Sequence, residues 1–238
     1  MNFDNSYFTA KQTRKMVSAQ RWINRVLYRM GMRAVVKPMF SHQLNMVSEL
    51  QKINFFFMLN EVLSKQIPGD VVELGCFEGQ SAVLLNNILQ KNNSDKKLFL
   101  FDRFDQQLGL KDPILNLLKS KFDHPSINQP IIVEGDIYNT IPRQLPESIS
   151  FIHIDLGSGG NREQHTKLIT FALENTYYRM PPGAVCLLMD YYIEGVTVEG
   201  YDSNPGVKDA CDQFFKDKPE TVYTLPGGEF SHGYFRKK

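Results

Sequence analysis

Apolar positions along this chain follow two periods. Compact β-branched and aromatic runs (Val71-Val72, Leu98 to Phe101, Ile131 to Val133, Phe151 to Ile154, Val185 to Met189) are separated by stretches of helical spacing. Near-continuous apolar runs are what strands covered on both faces require. The pattern predicts strands over 70–74, 97–101, 130–134, 150–155 and 184–189. Thr221 to Leu225, the turn Pro226-Gly227-Gly228 and Glu229 to Phe235 then read as a closing hairpin. Helical spacing predicts helices from about Gln43 to Gln66, Ser81 to about Gln90, within 106–129, from about His165 to Arg179, and after Asn204-Pro205-Gly206. Strands alternating with helices imply an α/β chain. Its sheet would be Rossmann-like and mostly parallel, with a C-terminal antiparallel hairpin and N-terminal helices.

The junction at residues 70–81 is the most informative. A buried strand breaks into a two-glycine loop (Gly75-Cys76-Phe77-Glu78-Gly79) that opens a helix at Ser81. This is the first unit of a nucleotide-binding sheet. Phosphate cradles pair glycine with Lys or bare amides because their ligand is an anion. Here Glu73 and Glu78 flank the loop and no Lys or Arg does. Such a lining disfavours a pyrophosphate and suits a nucleoside with a cationic arm, as in S-adenosylmethionine.

Acids recur at the carboxyl ends of the predicted strands. Asp102 follows the second strand, where a carboxylate can accept from a ribose diol; the alternative is a surface loop acid. Asp136 and Ile137 follow the third, placed to border an adenine or to form an ordinary turn. Asp155 and Asp190 end the fourth and fifth strands, and neighbouring strands would bring them together. His153 shares a strand face with Asp155 and reads more readily as a core histidine than as a base. Glu194, Glu199 and Asp202 add acids in the loop 193–205.

Residues 1–42 read as a basic helical extension and 43–238 as the cofactor-binding domain. Within 1–40, eight Lys or Arg face one acid, Asp4. Arg21, Arg25, Arg29 and Arg33 recur every four residues opposite Trp22, Ile23, Val26, Leu27 and Met30. That stripe is either a docking face for an anionic surface or a solvated face on a helix that packs on the core or on a second subunit. Over the whole chain 27 basic residues balance 26 acids, so composition does not point to nucleic acid. Cys76, Cys186 and Cys211 lack metal spacing and read as reduced thiols. With no apolar run long enough to span a membrane and no signal peptide, the expected location is cytoplasmic.

Ile67 to Gly75, Phe151 to Asp155, the Gly183-to-Tyr191 strand and Pro205 to Phe215 together resemble the macrocin O-methyltransferase family, in the same order, from about residue 45 to 225. Residues 1–40 lie outside that resemblance. It implies a class I methyltransferase fold, S-adenosylmethionine as donor and, often, a sugar hydroxyl as acceptor. It further implies cofactor contacts at Glu73, Gly75, Phe77, Gly79, Ser81, Asp102 and Asp136; Arg103, Ile137 and Asp155 complete the candidate set. Members of that family hold Mg²⁺ through an Asp-x-Asp after the fourth strand and an Asp-Asp pair after the fifth. Here Gly157 and Tyr191 stand where two of those carboxylates would be, leaving Asp155 and Asp190 as candidate metal ligands and catalytic residues.

The sequence therefore predicts an S-adenosylmethionine-dependent O-methyltransferase acting on a sugar-like or nucleotide-linked small molecule, homo-oligomeric through its N-terminal helices. Two alternatives stand beside it: a metal-independent methyltransferase with a different, anionic acceptor, and a non-catalytic cofactor-binding scaffold.

Overall fold

The computed structural model describes residues 14–32, 34, 36, 47–108, 110–157, 159–197, 200–202, 204–228 and 230–238. The chain divides into two compact units, Met1–Met46 and Val47–Lys238. Asp4, Lys11, Arg33, Lys37, the predicted helix start at Gln43, and Ser158, Glu199 and Glu229 lie outside the described residues.

In the first unit, α1 spans Arg14–Arg29. It stops at Gly31, whose φ of 72° is left-handed and lets Met32 N–H reach back to Leu27 O at 3.0 Å. Arg21, Arg25 and Arg29 are exposed along it, as the four-residue spacing predicts. Asn24 brackets the Val36 backbone, accepting from its N–H at 2.7 Å and donating to its carbonyl at 3.1 Å.

The second unit is built on a seven-stranded sheet in the order β3-β2-β1-β4-β5-β7-β6. The strands are β1 (Asp70–Leu74), β2 (Leu98–Asp102), β3 (Ile131–Glu134), β4 (Ile149–Ile154), β5 (Val185–Met189), β6 (Tyr223–Leu225) and β7 (His232–Arg236). All neighbouring pairs are parallel except those made by β7, which runs antiparallel to both β5 and β6. The helices are α2 (Glu49–Ser64), α3 (Gln80–Lys91), α4 (Ile114–Phe122), α5 (Ile137–Gln144), α6 (Arg162–Thr176) and α7 (Val207–Phe214).

One face of the sheet carries Val72, Leu74, Phe101, Ile152, Ile154, Cys186, Leu188 and Phe235, and packs on α5, α6 and α7 through Ile141, Ile169, Leu173, Ala210 and Cys211. The opposite face, under α2 and α3, is less uniform. Phe55, Leu59, Leu85 and Ile88 cover it, but Glu73, His153 and His232 are also buried there.

α2 begins later than its apolar spacing suggests. Ser48 forms a capping box: its side chain accepts from Gln51 N–H at 3.1 Å, and Gln51 returns the bond to Ser48 N–H at 2.7 Å. The Ser48 hydroxyl also donates to Gly227 O at 2.6 Å, tying the helix start to the β6–β7 turn. α5 is an element that spacing did not predict, since it is short and contains Pro142. Asp136 starts it as N-cap, accepting from Tyr138 N–H at 2.9 Å.

Candidate active site at the carboxyl ends of the strands

Strand order reverses between β1 and β4, and in an open parallel sheet that reversal opens a crevice at the carboxyl ends. Both walls are backbone. Asp155 N–H donates to Leu74 O at 2.8 Å, tying the loop after β4 to the end of β1, and Gly75 N–H donates to Phe101 O at 2.8 Å, tying the glycine loop to β2. A Cβ on Gly75 would fall 1.8 Å from Asp155 O, and Gly75 has a φ of +85°. Only glycine fits there.

The glycine loop is braced from β2. One Asp102 oxygen accepts from Phe77 N–H at 2.7 Å and the other from Phe104 N–H at 2.8 Å. Burial raises the Asp102 pKa, and backbone amides of Phe104, Phe77 and Arg103 oppose the rise. The carboxylate keeps acceptor capacity for a ribose hydroxyl. Phe77, Phe104 and Asp190 all adopt positive φ (46°, 56° and 59°), so non-glycine backbone strain gathers in the loops after β1, β2 and β5. Such strain is characteristic of binding and catalytic loops.

The two acids of the loop part company. Glu78 is buried and held by Gln80 Nε2 at 2.7 Å and Lys121 Nζ at 3.3 Å, so it is neutralised from α4 and does not line the crevice. Glu73 accepts from or shares a proton with His153 Nδ1 at 2.8 Å, and its second oxygen is buried without a partner. That orphaned oxygen fits the ammonium of an amino-acid arm, because a buried carboxylate oxygen left unpaired is costly. The acidity read from the sequence therefore rests on Glu73 alone.

The other candidates are distributed around the rim. Gly79 is the N-cap of α3, with φ 86°, and Ser81 lies buried in its first turn. Asp136 spends one oxygen on the α5 cap, and Ile137 beside it is buried. Arg103 is exposed and paired with Asp105 through Nε at 2.9 Å.

Asp155 is half-buried, and no described residue donates a hydrogen bond to its carboxylate. Burial pushes its pKa up to about 7; His153 opposes the rise, while Asp190, Glu73 and Asp102 add to it. Asp190 is raised mainly by burial, and the Asn204 amide, donating to its Oδ2 at 3.0 Å, pulls the other way. The two strand-end acids thus lie close enough to sense each other's charge, as adjacency predicts.

The metal set does not fit. Tyr191 is buried in the core, and a Cβ on Gly233 would lie 2.5 Å from its ring, so that position faces β7 and not the crevice. Glu194 and Asp202 are exposed. Among the described residues no group of three or more His, Cys, Asp or Glu converges to hold a metal ion. The Mg²⁺ role expected of Asp155 and Asp190 is therefore not supported by their surroundings, since Mg²⁺ is held by carboxylate and other oxygen ligands and Asp190 faces an amide donor.

Two residues of the site carried no sequence signal. His165 on α6 is fully buried, with Nε2 2.5 Å from Leu156 O and Nδ1 3.1 and 3.0 Å from Asn204 O and Pro205 O. It ties the loop after β4 to the loop before α7. Asn204, in that second loop, holds Asp190.

Residues 4–117 match the family model described as Macrocin-O-methyltransferase (TylF). This span corrects one boundary: the N-terminal segment, expected to lie outside the family resemblance, falls largely within the match. No curated protein matches the sequence. Among solved structures, the O-methyltransferase NovP is 16% identical, with 79% of each chain covered and a TM-score of 0.61. CalS11, a TDP-rhamnose 3'-O-methyltransferase of calicheamicin biosynthesis, is 17% identical, covering 95% of this chain and 96% of its own, with a TM-score of 0.55. An O-methyltransferase from Bacillus cereus in complex with SAH is 15% identical over 97% of this chain and 92% of that one, with a TM-score of 0.56. At these identities the likeness establishes the fold. The chain has the class I methyltransferase fold, and over residues 4–117 it carries the sequence pattern of the macrocin O-methyltransferase family.

Proposed function

We propose that this protein is an S-adenosylmethionine-dependent O-methyltransferase acting on a sugar or other small hydroxylated substrate, in glycan or natural-product biosynthesis. The observation that carries the reading is Asp155: a half-buried carboxylate at the topological switch point to which no described residue donates, with its pKa near 7 and its backbone against Gly75. A general base works best when its pKa lies near the working pH.

The donor site would use the backbone of Gly75 to Gly79 and Ser81, Asp102 for the ribose, Asp136 and Ile137 for the base, and the free Glu73 oxygen for the ammonium. When bound, S-adenosylmethionine supplies the methyl group and departs as S-adenosylhomocysteine. Asp102 orients by holding the Phe77 and Phe104 amides in place while its carboxylate keeps acceptor capacity for the ligand. Asp155 takes the proton of the acceptor hydroxyl on its carboxylate. The tight β1–β4 contact fixes that carboxylate relative to the glycine loop, which supplies much of the rate advantage of a preorganised site.

A sugar-like or nucleotide-linked acceptor is favoured by the family match and by the acceptor printed for CalS11. We also infer cytoplasmic residence, supported by three buried unpaired thiols, and self-association through the N-terminal segment. No helix among the described residues is long and apolar enough to cross a membrane.

The test is transfer of label from methyl-tritiated S-adenosylmethionine to a panel of nucleotide-linked and free sugars by the wild type and Asp155→Asn. Labelled product from the wild type, reduced at least about a hundred-fold in the variant, is expected. Equal transfer by both would remove Asp155 from the role of base.

A further inference from the structure

Asn204 reaches Asp190 from the loop before α7. Its Nδ2 donates to Asp190 Oδ2 at 3.0 Å, and the same nitrogen lies 4.0 Å from where a Cβ on Gly157 would sit. Apart from its chain neighbours, no other atom of the described residues comes within 4 Å of that Cβ position, and Gly157 does not adopt a left-handed φ. The space beside Gly157 is thus open to a side chain, and Asn204 reaches its edge from the opposite loop. Among the described residues the Asn204 side-chain oxygen Oδ1 accepts no hydrogen bond, whereas its backbone carbonyl lies against His165.

The loop that carries Asn204 is held firmly. His165 lies against the carbonyls of Asn204 and Pro205 on one side and Leu156 on the other. Gly206, with a φ of +118°, packs so closely on α6 that a Cβ would meet Arg162 O at 2.7 Å. Arg162 then clamps Asp209 at the start of α7 through a bidentate pair at 2.5 and 2.7 Å. These contacts fix an amide where a purely anionic donor set would otherwise be completed.

We propose that Asn204 is a positioning residue that holds Asp190 through a neutral carboxamide beside Gly157, in the place a divalent cation would take. This rests on the methyltransferase reading above. The amide N–H stabilises the Asp190 carboxylate as a cation would, and Asp155 is left to take the single proton of the acceptor hydroxyl. A neutral bridge adds no charge to attract a cation, and an amide N–H aimed at a carboxylate occupies the lone pair that a metal would use. The acceptor hydroxyl is then activated by a carboxylate base alone, with no divalent ion at Asp155 and Asp190.

The experiment is calorimetric titration of MnCl₂, as a tight-binding stand-in for Mg²⁺, into wild type, Asn204→Asp and Gly157→Asp. Each protein is also titrated with S-adenosylhomocysteine and checked by circular dichroism. The wild type is expected to bind Mn²⁺ no more tightly than about 1 mM. Either variant, by adding a carboxylate to the open space beside Gly157, is expected to bind at least about ten-fold tighter, with S-adenosylhomocysteine binding retained. Stoichiometric Mn²⁺ binding by the wild type that is lost in Asp155→Asn would overturn the proposal. So would two folded variants with no gain in Mn²⁺ affinity, since Asn204 would then not stand in a cation's place. Should Asn204→Asp fail to fold, Gly157→Asp carries the same test from the facing loop. Failure of wild type to bind S-adenosylhomocysteine would refute the methyltransferase reading instead, and the Mn²⁺ titrations would still report on Asn204.

Discussion

Replacing Gly75 by alanine tests the contact on which the whole site depends. The added Cβ would lie 1.8 Å from Asp155 O, and contacts below 3.0 Å are essentially never found, so the loops after β1 and β4 must separate by about 1.2 Å. That separation breaks or stretches the Asp155 N–H to Leu74 O bond, now 2.8 Å. A Cβ in left-handed conformation costs about 1–2 kcal/mol. Loss of a buried backbone hydrogen bond adds about 1–3 kcal/mol. The expected destabilisation is therefore about 2–5 kcal/mol, a large part of a domain's total. Gly195→Ala is the matched control, because Gly195 has a similar φ of +74° with nothing within 4 Å of its Cβ position. It should lose only the conformational part, about 1 kcal/mol. Urea unfolding followed by circular dichroism at 222 nm gives both values, and S-adenosylhomocysteine affinity should fall in Gly75→Ala alone. If the two alanine variants lose the same stability, the β1–β4 approach is not what holds the crevice together.

Two further outcomes follow from the same geometry. Asp155 has a folded-state pKa raised to about 7, above its unfolded value, so the folded state binds the extra proton between about pH 4 and pH 7 and stability falls as pH rises through that window. Asp155→Asn should therefore be more stable than wild type at pH 8 and no more stable near pH 4, measured by thermal melts across pH, and wild-type methyl transfer should rise with pH through about 7; melts showing the same difference at both ends would refute the assignment. Ser48→Ala removes both the α2 capping box and the bond to Gly227 O, and should cost about 1–2 kcal/mol in urea unfolding with no change in cofactor affinity; a loss below about 0.3 kcal/mol would mean the cap is replaced by solvent.

The sheet was largely legible because strands buried on both faces leave continuous apolar runs that turn residues punctuate sharply. The five parallel strands fall within one residue of their predicted positions, and the closing hairpin forms with its last strand starting three residues later, at His232. α5 escaped because its length is close to that of a turn and Pro142 argues against a helix in isolation; packing against β2, β3 and α6 stabilises it. The start of α2 was legible in Ser48-x-x-Gln51, a capping signature that the longer apolar pattern obscured. Strand-end acids could be picked out singly, since each follows an apolar run directly. Their partners could not. Lys121 reaches Glu78 from α4, forty-three residues on, and His165 and Asn204 meet across thirty-nine, separations at which sequence spacing says nothing about contact. The fate of Glu78 shows the consequence: the charge was visible, but its neutralisation was a property of the fold.

The central claim is a nucleoside site at the carboxyl ends of β1 and β2, with Asp102 joining the glycine loop to the ligand. The most direct measurement is calorimetric titration of S-adenosylhomocysteine into wild type and Asp102→Ala. Binding in the micromolar range by wild type, weakened at least about ten-fold (about 1.4 kcal/mol) in the folded variant, is the expected result. Absence of binding by folded wild type, or equal affinity in the two proteins, would contradict the account.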